Sequence, residues 1–94
     1  MAYEIHHFIG GKKVEGTSGR FGDVFNPTTG EVQGKVALAS KSEVEKAIET
    51  AQGMFEEWSQ TSVVTRSRII SAFNELLYRH IDELAEMVAR EHGK

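Results

Sequence analysis

The hydrophobic repeat of this chain changes at Ser40, and no other feature narrows its possible folds as much. Ahead of that serine, in EVQGKVALA, Val32, Gly34, Val36 and Leu38 alternate with Gln33 and Lys35, the period-two pattern of a half-buried strand. Behind it, Val44, Ala47, Ile48, Ala51, Met54, Phe55 and Trp58 step by threes and fours, which lays one apolar stripe along a helix. The boundary carries its own signature. Ser40-Lys41-Ser42-Glu43 fits a capping box, in which the serine hydroxyl and the glutamate carboxylate each cover an orphan amide. Strands and turns over 1–39 followed by helices over 40–94 predict an α+β arrangement, and 94 residues make at most one domain.

Within the first part, EIHHFI and KKVE flank Gly10-Gly11, a hairpin signal because positive φ costs glycine little. GTSGRFG, with glycines at 16, 19 and 22, reads as a mobile loop, and DVF after it as a short strand. NPTTGE then holds the only proline of the chain. Pro27 fixes φ at a first corner and Gly30 supplies a permissive one, so the chain reverses here between two strands.

In the second part the first helix is expected to end near Trp58, because SQTS follows, and Thr61 or Ser62 can cap the next. From Ile69 and Phe73 through Leu77, Ile81 and Leu84 to Val88 the apolar residues keep a single helical phase. That phase alone permits one helix of about thirty residues, long for a globular domain. Asp82 as the cap of a separate helix predicts a break near 79–82, giving two or three helices in all. Gly93 suits the left-handed position after a helix terminus.

Composition removes several classes of function. A net charge of -3 argues against nucleic acid as a partner, since phosphate binding needs a basic excess. The absence of cysteine excludes disulfides, thiolate zinc sites and a thiol nucleophile made by these residues. MAYEIHHFIGG has neither the basic start nor the apolar run of a signal peptide, and no apolar run spans a membrane. The chain therefore reads as a cytoplasmic product.

Candidate chemistry is sparse. GTSGRFG has the wrong spacing for a dinucleotide loop, with no helix behind it to offer its N-terminus. His92-Gly93-Lys94 looks like the tail of a phosphate-loop motif, but Val88 stands where the first glycine belongs. His6 and His7 are adjacent, so in a strand they point to opposite faces, and His80 and His92 lie three helical turns apart. The helix carboxylates, from Glu43 to Glu91, read as a solvated face. From the residues alone no catalytic, cofactor-binding or metal-ligating set emerges.

Three stretches taken together resemble the N-terminal part of the aldehyde dehydrogenase superfamily: HFIGGKKVEGTSGRFGDVFNPTTGEV, ASKSEVEKAIETAQGMFEEWSQTSVVTRSRII and LLYRHIDELAEMVAREHGK. The shared signs are the Ile-Gly-Gly hairpin, Asn26-Pro27 with Thr29-Gly30-Glu31, the helix with Ala51, Phe55 and Trp58, and the Glu91, Gly93-Lys94 ending. Within that superfamily the first half is similar to the CoA-acylating methylmalonate-semialdehyde dehydrogenases.

The resemblance implies that 1–94 is a single N-terminal fragment, the outer strands and helices of an α/β nucleotide-binding domain. Family members are much longer and work through a catalytic cysteine whose thioester, in the acylating branch, coenzyme A resolves. This chain lacks the cysteine, so the fragment is expected to be inactive and to bind no cofactor, while its parent would use NAD, coenzyme A and a semialdehyde. The family's monovalent cation site, where present, uses backbone carbonyls that would correspond to Val24 and Phe25. Alternatives are another NAD(P)-dependent aldehyde dehydrogenase, or a self-contained helical interaction module with a hairpin arm. The stripes around Ile48 and Phe73 are wide enough to pack on each other. Surface meant for the rest of a parent should still drive self-association, most simply a dimer through apolar helix residues.

Overall fold

The computed structural model describes residues 2–93, with the order β1 (Tyr3–Ile5), β2 (His7–Ile9), β3 (Lys12–Val14), β4 (Phe21–Phe25), β5 (Val32–Ala37), α1 (Lys41–Gly53), α2 (Phe55–Gln60), α3 (Val63–Arg79) and α4 (Ile81–His92). The α+β order expected from the change of period is therefore present, with the switch at Ser40.

The hairpin β2–β3 pairs Ile9 with Lys12, and Gly10 and Gly11 both take positive φ (64° and 79°), as a two-residue loop of twisted strands requires. EIHHFI is not one strand, however. It breaks at His6, and β1 leaves the hairpin to pair in parallel with β5, Tyr3 opposite Gly34 and Ile5 opposite Val36. The three-stranded sheet has the order β1-β5-β4, β4 running antiparallel to β5. The Tyr3 ring lies on Gly34 so closely that a Cβ there would stand 2.6 Å from it.

NPTTGE is the reversal between β4 and β5. The Asn26 side-chain oxygen accepts the N–H groups of Thr28 (2.9 Å) and Thr29 (3.3 Å), Gly30 N–H donates to the Asn26 carbonyl (2.8 Å), and Gly30 takes φ 78°. Beside the turn the β4–β5 register slips between Val24 and Phe25. The slip leaves Gln33 to donate from Nε2 to the carbonyls of Phe25 (3.4 Å) and Arg90 (2.9 Å), which ties the sheet to α4.

GTSGRFG is not a slack loop. Gly22 already lies in β4, and Gly16 is seated where a Cβ would be 2.8 Å from that of Ala37. The Ser18 hydroxyl donates to the Leu38 carbonyl, and Arg20 Nη2 donates to that of Ala39 at 2.9 Å.

The first helix stops short of Trp58. It ends at Gly53, a poor helix former, and the Met54 N–H turns back to the carbonyls of Ala51 and Gln52 before α2 begins. Ser62 caps α3, its oxygen accepting the Thr65 N–H at 3.1 Å. The later break falls inside the expected 79–82 window, but His80 occupies the junction (φ -110°, ψ 20°) with no side-chain cap, and Asp82 sits inside the first turn of α4. Gly93 ends α4 in the left-handed conformation, φ 75°.

The expected packing of the two helical stripes on each other does not occur. Phe73 is 56% exposed, and Ile48, Phe55 and Val88 are also open to water. Among the described residues only Gly34 and Ala37 are buried. The molecule is a slab of 48 × 35 × 16 Å with a radius of gyration of 17.0 Å, against about 12 Å for a compact domain of this length. Its accessible surface is 7971 Å², where a folded monomer of 10.5 kDa exposes about 5,400 Å². Roughly 2,500 Å² of surface is in excess.

Candidate functional site

The most connected polar group is the Glu43 carboxylate in the first turn of α1. Its Oε1 accepts the Ser40 N–H at 3.0 Å and the Ser40 hydroxyl accepts the Glu43 N–H at 3.2 Å, so the capping box read from the sequence is complete. Its Oε2 reaches out of the helix, accepting the Thr17 N–H at 3.1 Å and standing 3.5 Å from His7 Nε2. The Ser40 N–H first and the Thr17 N–H second hold this carboxyl below its ordinary range, with smaller help from the Ser40 hydroxyl and His7 and opposition from partial desolvation.

The expected divergence of His6 and His7 presumes one strand through both, but His6 sits at the break between β1 and β2, and both rings end against Gly16. His6 Nδ1 accepts the Gly16 N–H at 3.1 Å and its Nε2 lies 3.3 Å from Glu4 Oε2, which fixes the tautomer with the proton on Nε2. The His6 ring meets Phe21 edge-on at 6.0 Å.

This cluster fastens the hairpin, the loop 15–20 and the start of α1 to one another. Both carboxylate oxygens of Glu43 are committed to backbone amides, and the adjoining groove between hairpin and α1 is open, lined by Phe8, Val44 and Ile48 among others. A general base needs a free lone pair aimed at a substrate. Each oxygen of Glu43 is instead held by an amide of its own fold, so the cluster reads as a clasp. The sequence flagged Glu43 only as half of a cap; its reach to Thr17, twenty-six residues back, leaves no trace in local spacing.

Val24 and Phe25 lie where β4 meets the register slip. Val24 pairs with Gly34, and the Phe25 carbonyl accepts the long Gln33 bond. Among the described residues no group of three or more His, Asp or Glu could hold a metal ion. No helix among them is long and apolar enough to cross a membrane.

Residues 13–94 match the model of the aldehyde dehydrogenase family. The chain belongs to that family. Among curated aldehyde dehydrogenases it is 44% identical over 90 residues to malonate-semialdehyde dehydrogenase 3 of Geobacillus kaustophilus, covering 96% of this chain and 19% of the relative. It is 37% identical over 91 residues to malonate-semialdehyde dehydrogenase of Listeria monocytogenes, covering 97% and 19%. Two solved family members superpose closely. One, from Sinorhizobium meliloti 1021, is assigned as a methylmalonate-semialdehyde dehydrogenase and was solved with NAD; it gives a TM-score of 0.94 at 50% identity over 98% of this chain and 19% of that one. The other, methylmalonate-semialdehyde dehydrogenase from Oceanimonas doudoroffii, gives 0.91 at 40% identity over 96% and 18%. The chain thus spans about a fifth of the length of the aldehyde dehydrogenases it matches.

Proposed function

We propose that this chain is the N-terminal portion of a cytoplasmic, NAD-dependent, CoA-acylating dehydrogenase of malonate or methylmalonate semialdehyde. The whole enzyme would convert semialdehyde, coenzyme A and NAD to acetyl-CoA or propionyl-CoA, carbon dioxide and NADH. The observation that carries this reading is the likeness to the Sinorhizobium protein, 50% identical with a TM-score of 0.94 and solved with NAD. NAD would accept the hydride. The nucleophile would come from outside these residues, because the chain has no cysteine.

On this reading the contribution of residues 2–93 is architectural. The clasp at Glu43 sets the hairpin against α1, and the carbonyls of Val24 and Phe25 would offer part of a monovalent cation site. The exposed faces of the helices would be covered by the rest of the enzyme.

The test begins by reading the coding sequence beyond codon 94. The product of a long open frame that contains a cysteine, incubated with NAD, coenzyme A and malonate semialdehyde, should form NADH in a reaction that requires coenzyme A. The 94-residue chain alone should form none. NADH formation indifferent to coenzyme A would replace this reading with that of another aldehyde dehydrogenase. A stop directly after codon 94 would favour an interaction module.

A further inference from the structure

In unbroken antiparallel register Phe25 would face Gln33, since Phe21, Gly22, Asp23 and Val24 face Ala37, Val36, Lys35 and Gly34 in turn. Phe25 instead faces Val32, so Gln33 is an extra residue in β5 with nothing opposite it. A bulge of this kind re-aims a side chain, and here it inverts the alternation read from the sequence. Val32, which belonged with Gly34 and Val36 on the covered face, is 46% exposed. Gln33, which belonged with Lys35 on the open face, is half-buried. A break in an otherwise consistent pattern marks a place where some other requirement has overruled it.

That requirement lies at the end of α4. The last four carbonyls of a helix have no donor within it. In α4 the Gly93 N–H covers the Ala89 carbonyl, and the Arg90 carbonyl receives Gln33 Nε2 at 2.9 Å, from 57 positions away in the chain. The same nitrogen lies 3.4 Å from the Phe25 carbonyl beside the bulge. Both neighbours are acceptors, so only the NH2 end of the amide can face them. Next to this bridge Gly93 fits against Pro27, where a Cβ would stand 3.1 Å from the ring. No strand shares a broad packed face with α4 among the described residues, so the corner at Gln33 and Pro27 is what joins this helix to the sheet.

We propose that Gln33 is a positioning residue for the end of α4. The bulge turns its amide onto the Arg90 carbonyl, and the amide in turn holds Gly93 in its seat beside Pro27. The hold comes from donated hydrogens. A side chain of the same shape that lacks them should therefore fail, and a donor of different shape should serve. Every atom of this device belongs to residues 25–93, so the inference goes beyond the dehydrogenase reading and stands without it.

Peptide-resolved hydrogen exchange tests this, on the 94-residue chain and equally on the product of a longer reading frame. Gln33→Leu removes the donor, and Gln33→Glu sets a carboxylate against two carbonyls and a helix C-terminus. Each should quicken exchange over residues 86–93 about fivefold, the effect of one lost hydrogen bond, and leave residues 21–24 of β4 unchanged. Gln33→Lys should stay within about twofold of the native rate, because an ammonium offers three donors and its charge suits a helix C-terminus. Deleting residue 33 makes the register continuous, with Val32 and Gly34 keeping their partners. That deletion should release the end of α4 as Gln33→Leu does while the β4–β5 ladder keeps its protection. Equal rates in the native chain and Gln33→Leu would overturn the proposal. So would Gln33→Lys exchanging as fast as Gln33→Leu, a deletion that leaves α4 protected, or quickening that spreads to residues 21–24.

Discussion

The His7 imidazole stands 3.5 Å from the Glu43 carboxylate, across the seam between the β2–β3 hairpin and the first turn of α1. Both side chains are mostly shielded, 17% and 14% exposed, and the same carboxylate also holds Ser40 and Thr17 by their amides. A single ionised group therefore joins three segments.

Its titration should be visible in stability. The folded-state pKa of Glu43 lies below its ordinary value, so its contribution is complete above that value and is lost as pH falls through the lowered one. Melting temperature measured from neutral to acid pH should fall more steeply below about pH 4.5 in the native chain than in Glu43→Gln. Parallel curves would show that the clasp adds nothing.

Ser40→Ala removes the oxygen that receives the Glu43 N–H and leaves an orphan amide at the start of α1. The expected loss is about 1 kcal/mol, read from the urea midpoint, and Ser40→Asp should recover most of it.

Gly34→Ala would drive a methyl group into the Tyr3 ring, at 2.6–2.8 Å from its atoms. Overpacking of this kind costs about 1–3 kcal/mol. The damage should be confined to the β1–β5 pairing, so amides of Glu4 and Ile5 should exchange faster. Adding Tyr3→Ala to the variant should return much of the lost stability, because it removes the collision.

His6→Ala deletes the acceptor of the Gly16 N–H. A net hydrogen bond is worth about 1 kcal/mol, so exchange of that amide should quicken about fivefold. His6→Asn, whose side-chain oxygen can stand in for Nδ1, should preserve its protection.

Much of this architecture is legible residue by residue, but only where the determinant is local. Gly10-Gly11, the Asn26–Gly30 reversal, the Ser40 capping box, the Ser62 cap and the Gly93 terminus each depend on neighbours within a few positions, and each stands where the sequence places it. The parallel pairing of β1 with β5 joins residues about thirty apart, and an alternating pattern names a face without naming a partner. For the same reason the stripes on α1 and α3 were readable while their lack of mutual packing was not. At the helix junctions the backbone outranked the side chains: Gly53 ended α1 before Trp58, and His80 took the place expected of Asp82. The clasp was half legible, since Glu43 within its own turn is a capping residue and only the folded loop brings Thr17 and His7 to it.

With Gly34 and Ala37 the only buried residues among those described, the usual gradient from protected centre to open rim is missing. Hydrogen exchange should then follow local helix and ladder bonding, each segment opening on its own terms with no slow common set of amides. Whatever comes to lie on the bare side of the slab would supply that set. Its arrival should be recorded as a collective slowing, shared by amides along α1, α3 and α4 that do not touch one another.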